Sequence, residues 1–383
     1  MEFYTYRMSD VFERFSSGKN ITEHKISDSG KYPVYGGNGL RGYTDTSNFK
    51  GECILIGRQG AKCGNVRYFN GEGYMTDHAI VGVCKPNHNT QFMNYALASL
   101  DLNRLSGQAA QPGLSVGMLK KQKILLPSLE NQAKIAKILF RYNNLIENNN
   151  RRIALLEKAA QELYKEWFVR FRFPGFEGVE FENGFPKNWL QFRLGKKMTF
   201  VRGKSYSSAD IQDGDKVLLS MNNIRPYGGF IRDFTRVYGG KYQDKHVIKY
   251  GDLLMSITDM TQDRRIIGYV GMFDSNRTDC IMSTHLIKIE TDIDHLFALN
   301  FFNVSGLSKM IAEFATGANV LGLTDSILKR IKAVLPPDDL IEQYGKTVKP
   351  YYDMITVLKN ENDNLIKQRD LLLPRLMSGK LEV

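Results

Sequence analysis

Few residues in this 383-residue chain are spaced for chemistry, and the most suggestive group is glycine-rich. Gly37-Asn38-Gly39-Leu40-Arg41-Gly42 fits the pattern of a dinucleotide loop. Such a loop needs a helix directly behind it to receive a pyrophosphate. Here Tyr43-Thr44-Asp45-Thr46-Ser47-Asn48 follows, which reads as loop, so a tight glycine turn that lets backbone approach a phosphate or a groove wall is the better reading. Gly203-Lys204-Ser205 lacks the upstream glycine of a phosphate loop. Asp10 with Glu23-His24-Lys25 is a faint metal-nuclease pattern in a polar opening segment. Cys53, Cys63, His78 and Cys84 have no zinc-ligand spacing, and four cysteines without a CxxC pair read as buried thiols in a reducing compartment, the cytoplasm. No Gly-x-Ser-x-Gly, His-Glu-x-x-His or Cys-x-x-Cys occurs. Lys349-Pro350-Tyr351-Tyr352 has one proline where an adenine-methyltransferase motif has two. The catalytic search is therefore empty.

Polar loop clusters are better represented, and they come in pairs. The first half holds Tyr35 to Arg41 (with Gly37 and Asn38), Arg58-Gln59-Gly60-Ala61-Lys62, and Gln108 to Gln111. The second holds Ser220 to Tyr227 (with Asn222, Asn223 and Arg225), Thr258 to Arg265 (with Arg264), and Thr316 to Asn319. His78 and His285 each follow a hydroxyl-bearing turn. The ordinary role of such a histidine is structural, and the alternative is a polar group facing DNA. Arginine suits guanine edges, asparagine and glutamine suit adenine, and lysine, serine and backbone amides suit phosphates.

The elements that must position these clusters are themselves duplicated. Gly113-Leu114-Ser115 through Leu126-Pro127 recurs as Gly322-Leu323-Thr324 through Leu335-Pro336. Thr76-Asp77-His78 is matched by Ser283-Thr284-His285, and Lys50-Gly51-Glu52 by Tyr250-Gly251-Asp252, each before an apolar run. Kept order with drifting spacing means duplication with loop insertions. The charge is duplicated too. Of the net +11, residues 1–128 (15 basic, 10 acidic) and residues 169–336 (23 basic, 18 acidic) each carry +5. Two polyanion-facing modules explain that better than one basic tail.

Short apolar runs at Cys53–Ile56, Ala79–Val83, Leu253–Ile257 and Leu286–Ile289 predict strands. Phe92–Leu102 and Phe297–Phe314 predict helices. After each module, Gln132–Phe171 and Lys346–Ser378 predict long helices. Their seams take steps of three and four: Tyr142, Leu145, Asn149, Ile153, Leu156, Ala160, Leu163 and Trp167 in the first, with one doubled step of four at Asn149, and Val348, Tyr351, Ile355, Leu358, Asn362, Leu365, Arg369, Leu372 and Leu376 in strict alternation in the second. Paired seams predict a coiled coil, with Asn149 and Asn362 as register-setting polar residues. The glycine- and proline-bearing stretch Arg170–Trp189 is the linker between halves. No apolar run is long enough to span a membrane, and Met1 to Asp10 does not read as a secretory signal.

Several segments together resemble the specificity subunits of Type I restriction–modification systems. They are Tyr32-Pro33-Val34-Tyr35-Gly36-Gly37-Asn38-Gly39, Leu125-Leu126-Pro127-Ser128-Leu129-Glu130-Asn131-Gln132, Glu166-Trp167-Phe168-Val169-Arg170-Phe171, Gly184-Phe185-Pro186-Lys187-Asn188-Trp189 and Leu371-Leu372-Leu373-Pro374-Arg375-Leu376-Met377-Ser378-Gly379-Lys380. The departures are Asp338-Asp339 and Tyr351-Tyr352. The resemblance implies an α+β chain with pseudo-two-fold duplication. Its parts would be a first target-recognition domain at 1–128, a first spacer helix at 129–170, a linker at 171–189, a second recognition domain at 190–336, and a second helix and tail at 337–383. The helices would pack antiparallel. Each domain would read one half of a bipartite site in double-stranded DNA through the loop residues above, Lys62, Gln108, Gln111, Tyr227, Thr258 and Asn319 included. The chain would be non-catalytic. Two modification subunits using S-adenosylmethionine, and a restriction subunit using ATP and magnesium, would supply the chemistry. The rival readings are a stand-alone nuclease or methyltransferase and a purely structural scaffold.

Overall fold

The computed structural model describes residues 1–60, 63–106 and 113–383. Two compact units emerge, Met1–Asn148 with Glu361–Val383, and Asn149–Asn360.

The first unit holds strands β1 (Phe3–Arg7), β2 (Phe12–Ser17), β3 (Tyr32–Gly36), β4 (Gly39–Thr44), β5 (Phe49–Gly57), β6 (Val66–Met75), β7 (Ala79–Cys84) and β8 (Lys123–Pro127). Helices α1 (Met8–Val11), α2 (Thr90–Ala98) and α3 (Val116–Lys121) accompany them, and α4 (Leu129–Tyr164) begins there. Six strands form one sheet in the order β2-β7-β5-β6-β3-β4, while β1 pairs with β8. Alternation along β5 sends Ile54 and Ile56 into the core beneath α2, and Cys53 and Leu55 into a smaller cluster on the other face. Cys63 sits in the first core and Cys53 in the second, so the sheet divides the cysteines that a zinc site would need to gather.

The second unit carries a small hairpin of β9 (Phe181–Glu182) and β10 (Phe185–Pro186) inside the predicted linker. It continues with β11 (Leu190–Arg193), β12 (Met198–Arg202), β13 (Lys216–Leu219), β14 (Val237–Tyr238), β15 (Leu253–Ser256), β16 (Thr258–Asp259), β17 (Val270–Met272), β18 (Cys280–Met282), β19 (Leu286–Thr291), β20 (Leu321–Gly322) and β21 (Lys332–Leu335). Its helices are α5 (His295–Val304), α6 (Leu307–Glu313), α7 (Asp325–Arg330) and most of α8 (Asp338–Met377). The topology repeats the first unit. The order β12-β19-β15-β17 reproduces β2-β7-β5-β6, and the pair β11·β21 reproduces β1·β8. The parallel pairing of β3 with the end of β6 returns as β13 with β18.

Both long helices form, with different ends from those the seam spacing predicts. The first starts at Leu129 and closes in a π turn, Lys165–Val169, instead of running to Phe171. The second starts at Asp338 and runs on through Gly345 and Pro350, although Pro350 lies inside the helix and has no backbone N–H to give the preceding turn. Gly345 is needed for closeness: a Cβ there would lie 2.6 Å from the Asp294 carboxylate, which caps α5 by accepting from the Leu296 and Phe297 amides. The predicted helix Phe297–Phe314 is two helices, broken at Gly306, whose φ of 90° no other residue type adopts easily. The helix predicted at Phe92–Leu102 ends at Ala98.

Within each unit the two long helices run side by side and antiparallel. In the first, Arg369 donates to the Asn143 side chain at 2.9 Å, and Leu139 and Leu376 share a core. In the second, Ile153 packs with Ile355 and Leu358, while the Tyr344 hydroxyl, nearer the start of its helix, donates to the Ala160 carbonyl at 2.9 Å. All nine seam residues predicted in the second helix are buried or half-buried. In the first helix Leu145 is an exception: it is exposed, and Ile146 turns partly inward instead. Asn149 and Asn362 are both buried.

Candidate nucleic-acid interface

At one end of the first sheet, β3, β5, β7 and the Gly113 turn converge on a single backbone junction. The Arg58 amide donates to the His78 carbonyl at 2.9 Å, and the Leu114 amide donates to the Arg58 carbonyl at 2.8 Å. Gln59 bridges to Gly113. Gly37 lies against this junction, so that a Cβ there would fall 2.9 Å from the His78 carbonyl oxygen. The Lys19 amide donates to Met75, and the preceding Gly18 fits so tightly that a Cβ would come within 2.2 Å of the Met75 oxygen. Gly37-Asn38 form a two-residue hairpin turn and Gly39 to Gly42 already belong to β4, so no helix stands behind the segment and the dinucleotide reading fails on geometry.

The second unit repeats the junction bond for bond. The Ile257 amide donates to the His285 carbonyl at 3.1 Å, and the Leu323 amide donates to the Ile257 carbonyl at 2.9 Å. Thr258 pairs with Gly322. The Lys204 amide donates to Met282, and Gly203 is packed as tightly as Gly18. The sequence clusters Tyr35–Arg41, Arg58–Gln59 and His78, and likewise Ser220–Asn222, Thr258 and His285, are thus gathered at equivalent sheet ends in their own units.

Several predicted residues are free to meet a ligand. Asn38, Arg41, Gln59 and His78 are exposed, Tyr35 and Arg58 half-exposed, and Asn222, Tyr227 and Asn319 exposed. The Thr258 hydroxyl lies 3.1 Å from His285 Nδ1. Burial, with the nearby Arg236 charge, lowers the His285 pKa.

Other assignments change. Asn223 is buried at 2% exposure; its Oδ1 accepts from the Ser220 amide at 2.8 Å, and its Nδ2 donates to the Ile231 and Asp233 carbonyls. It holds a turn and has no face for DNA. Arg225 donates to the Gly228 carbonyl and, at 2.8 Å, to Glu157 of α4. Arg264 is paired with Glu313 at 2.8 Å. Both guanidinium groups are thus engaged by the protein itself. Lys62, Gln108 and Gln111 lie outside the described residues.

Residues absent from the sequence-derived set also reach these junctions. Lys19 and Lys204 flank matched glycines, a repeat visible in Gly18-Lys19 and Gly203-Lys204. Exposed Arg67 lies over the hairpin, its guanidinium carbon 3.0 Å from where a Gly39 Cβ would be. Tyr206 and Arg236 border a cleft of about 320 Å³ with Asn222 and His285.

The fold is therefore that of a tandemly duplicated α+β protein whose modules pack on paired long helices. Residues 1–158 match the sequence model of the Type I restriction modification DNA specificity domain. The chain is 41% identical over 136 residues to the Type I restriction enzyme EcoprrI specificity subunit of Escherichia coli, covering 34% of each protein. It is 27% identical over 297 residues to the MjaIX specificity subunit of Methanocaldococcus jannaschii, a match over 74% of this chain and 66% of that one. It thus spans about a third and about two thirds of these relatives' lengths. Its fold matches that of the crystallised S subunit of a Type I system from M. genitalium with a TM-score of 0.61 at 17% identity, over 98% of this chain and 96% of that one. By these matches residues 1–158 are similar to the DNA specificity domain of Type I restriction–modification systems, and longer stretches of the chain are similar to their specificity subunits. No helix among the described residues is long and apolar enough to cross a membrane.

Proposed function

We propose that this chain is the non-catalytic DNA-reading subunit of a Type I complex, each module reading one half of a bipartite duplex site. The observation that carries the reading is the duplicated junction. Two equivalent sheet ends, each in a module of net charge +5, present tight glycine turns beside exposed or half-exposed lysine, arginine, asparagine and histidine side chains. Glycine turns let backbone approach phosphates, and the exposed amide and guanidinium groups suit base edges. The paired helices act as a spacer and as the docking surface for two modification subunits, which methylate adenine with S-adenosylmethionine. A restriction subunit adds ATP- and magnesium-dependent translocation and cleavage.

The test has two parts. Purified chain is titrated with cognate and scrambled duplexes at several salt concentrations, and methylated sites are sequenced in cells carrying the complete complex. Expected are a steep fall of affinity with salt, tighter binding to one bipartite sequence, and methylation at that sequence. Cleavage or methylation by the chain alone would favour the enzyme reading. Salt-independent or absent DNA binding would favour a scaffold.

A further inference from the structure

Arg236 stands apart from the other arginines of the second module. Arg202, Arg225, Arg232, Arg264, Arg265 and Arg277 each have a carboxylate within 4 Å. Among the described residues Arg193, Arg236 and Arg330 have none. Arg193 lies on β11, opposite Lys332 of β21, and Arg330 ends α7, just before that strand. Arg236 alone of the three borders the cleft at the junction end.

Its setting is built. The guanidinium lies 5.8 Å from the centre of the Tyr206 ring, and Nη1 donates to the Tyr206 hydroxyl at 3.0 Å. The Tyr206 ring in turn meets His285 edge-on, and His285 is fixed through Thr258. Arg236 is exposed and lines the cleft together with Asn222. An arginine held beside a tyrosine ring by a hydrogen bond to its hydroxyl keeps its fork oriented and its charge uncompensated. That is the arrangement that takes guanine O6 and N7 together in a major groove.

Resting on the reading of the chain as a DNA-specificity subunit, we propose that Arg236 is a specificity-determining residue that reads a guanine in the half-site bound by the second module. Tyr206 is its positioning residue. A phosphate contact, the other use of a free arginine, needs no such orientation.

The full chain and its Arg236→Ala and Arg236→Lys variants are each used to select bound duplexes from a randomised pool, and the selected sequences are compared. Arg236→Lys keeps the charge and removes the fork. Both variants should lose the preference for guanine at one position of one half-site, by about 5- to 150-fold, and leave the other half-site unchanged. Lysine should preserve binding to non-cognate duplex. Tyr206→Phe should weaken the same preference in part. If Arg236→Ala lowers affinity for cognate and scrambled duplexes alike and flattens the salt slope by about one, Arg236 is a phosphate contact and the assignment is overturned. An unchanged preference overturns it as well. If the unsubstituted chain selects no sequence at all, the DNA-reading function falls, and this assignment with it.

Discussion

Two neighbouring asparagines illustrate how little residue type says about role. Asn222 is exposed at the cleft, whereas Asn223 is buried with its amide bonded to three backbone groups. Replacing Asn223 by alanine should strand those groups and cost on the order of 2–3 kcal/mol in urea unfolding. Asn222→Ala should stay within about 0.5 kcal/mol while altering DNA binding. Histidine titration gives a second prediction. Burial lowers the pKa of His88, His246 and His285 from the ordinary value of 6.5, with Lys85, Lys245 and Arg236 adding to the effect in turn. A depressed histidine pKa means that the unfolded chain takes up protons first on acidification. Stability should therefore be full above pH 6.5 and fall below it. Urea midpoints between pH 7.5 and 5.5 should show that loss, with a shallower slope in His285→Gln.

Among elements, the attachment of the second module to its helices depends on charge. Asp274, at 7% side-chain exposure, accepts from Arg232 Nε at 2.9 Å and from Lys359 of α8 at 2.7 Å. Arg225 reaches Glu157 of α4. Removing the buried carboxylate by Asp274→Asn leaves two cations facing each other and should cost about 3–5 kcal/mol, read as a lower denaturation midpoint. The long helices carry a prediction of their own. Inserting four residues near Asn149 adds roughly 6 Å of helix and about 40° of rotation. DNA rises about 3.4 Å per base pair. Methylation mapping of the insertion variant should show the gap between half-sites longer by about one or two base pairs, with both half-site sequences kept. An unaltered gap in an active complex would mean that the helices dock partners without measuring distance.

For the whole molecule, the strand orders and junction bonds of the two halves match, so under the proposed function each half is expected to read DNA separately. Exchanging residues 1–128 for the corresponding segment of a relative should change one half of the methylated site and spare the other. Sequencing of methylated DNA that shows both halves changed would refute modular reading.

Duplication, the two strongly apolar central strands of each module and the long helices were all legible in the chain. They rest on local patterns: apolar runs bounded by glycine, and seams repeating every three and four residues. The loop clusters were legible as pairs for the same reason, since Thr76-Asp77-His78 and Ser283-Thr284-His285 carry the same local turn. Three-dimensional packing alone decided which members of those clusters are available. Whether Arg225 and Arg264 can meet DNA depends on Glu157 and Glu313, 68 and 49 residues distant in the chain. Likewise, Leu145 fits the seam by spacing, yet packing turned Ile146 inward and left Leu145 in water. Arg236 escaped notice because nothing in its neighbours marks it; what sets it apart is an aromatic ring thirty residues away and the lack of a carboxylate partner among the described residues. Periodicity is a property of adjacent residues, whereas a charge's freedom depends on every group that folding brings near it.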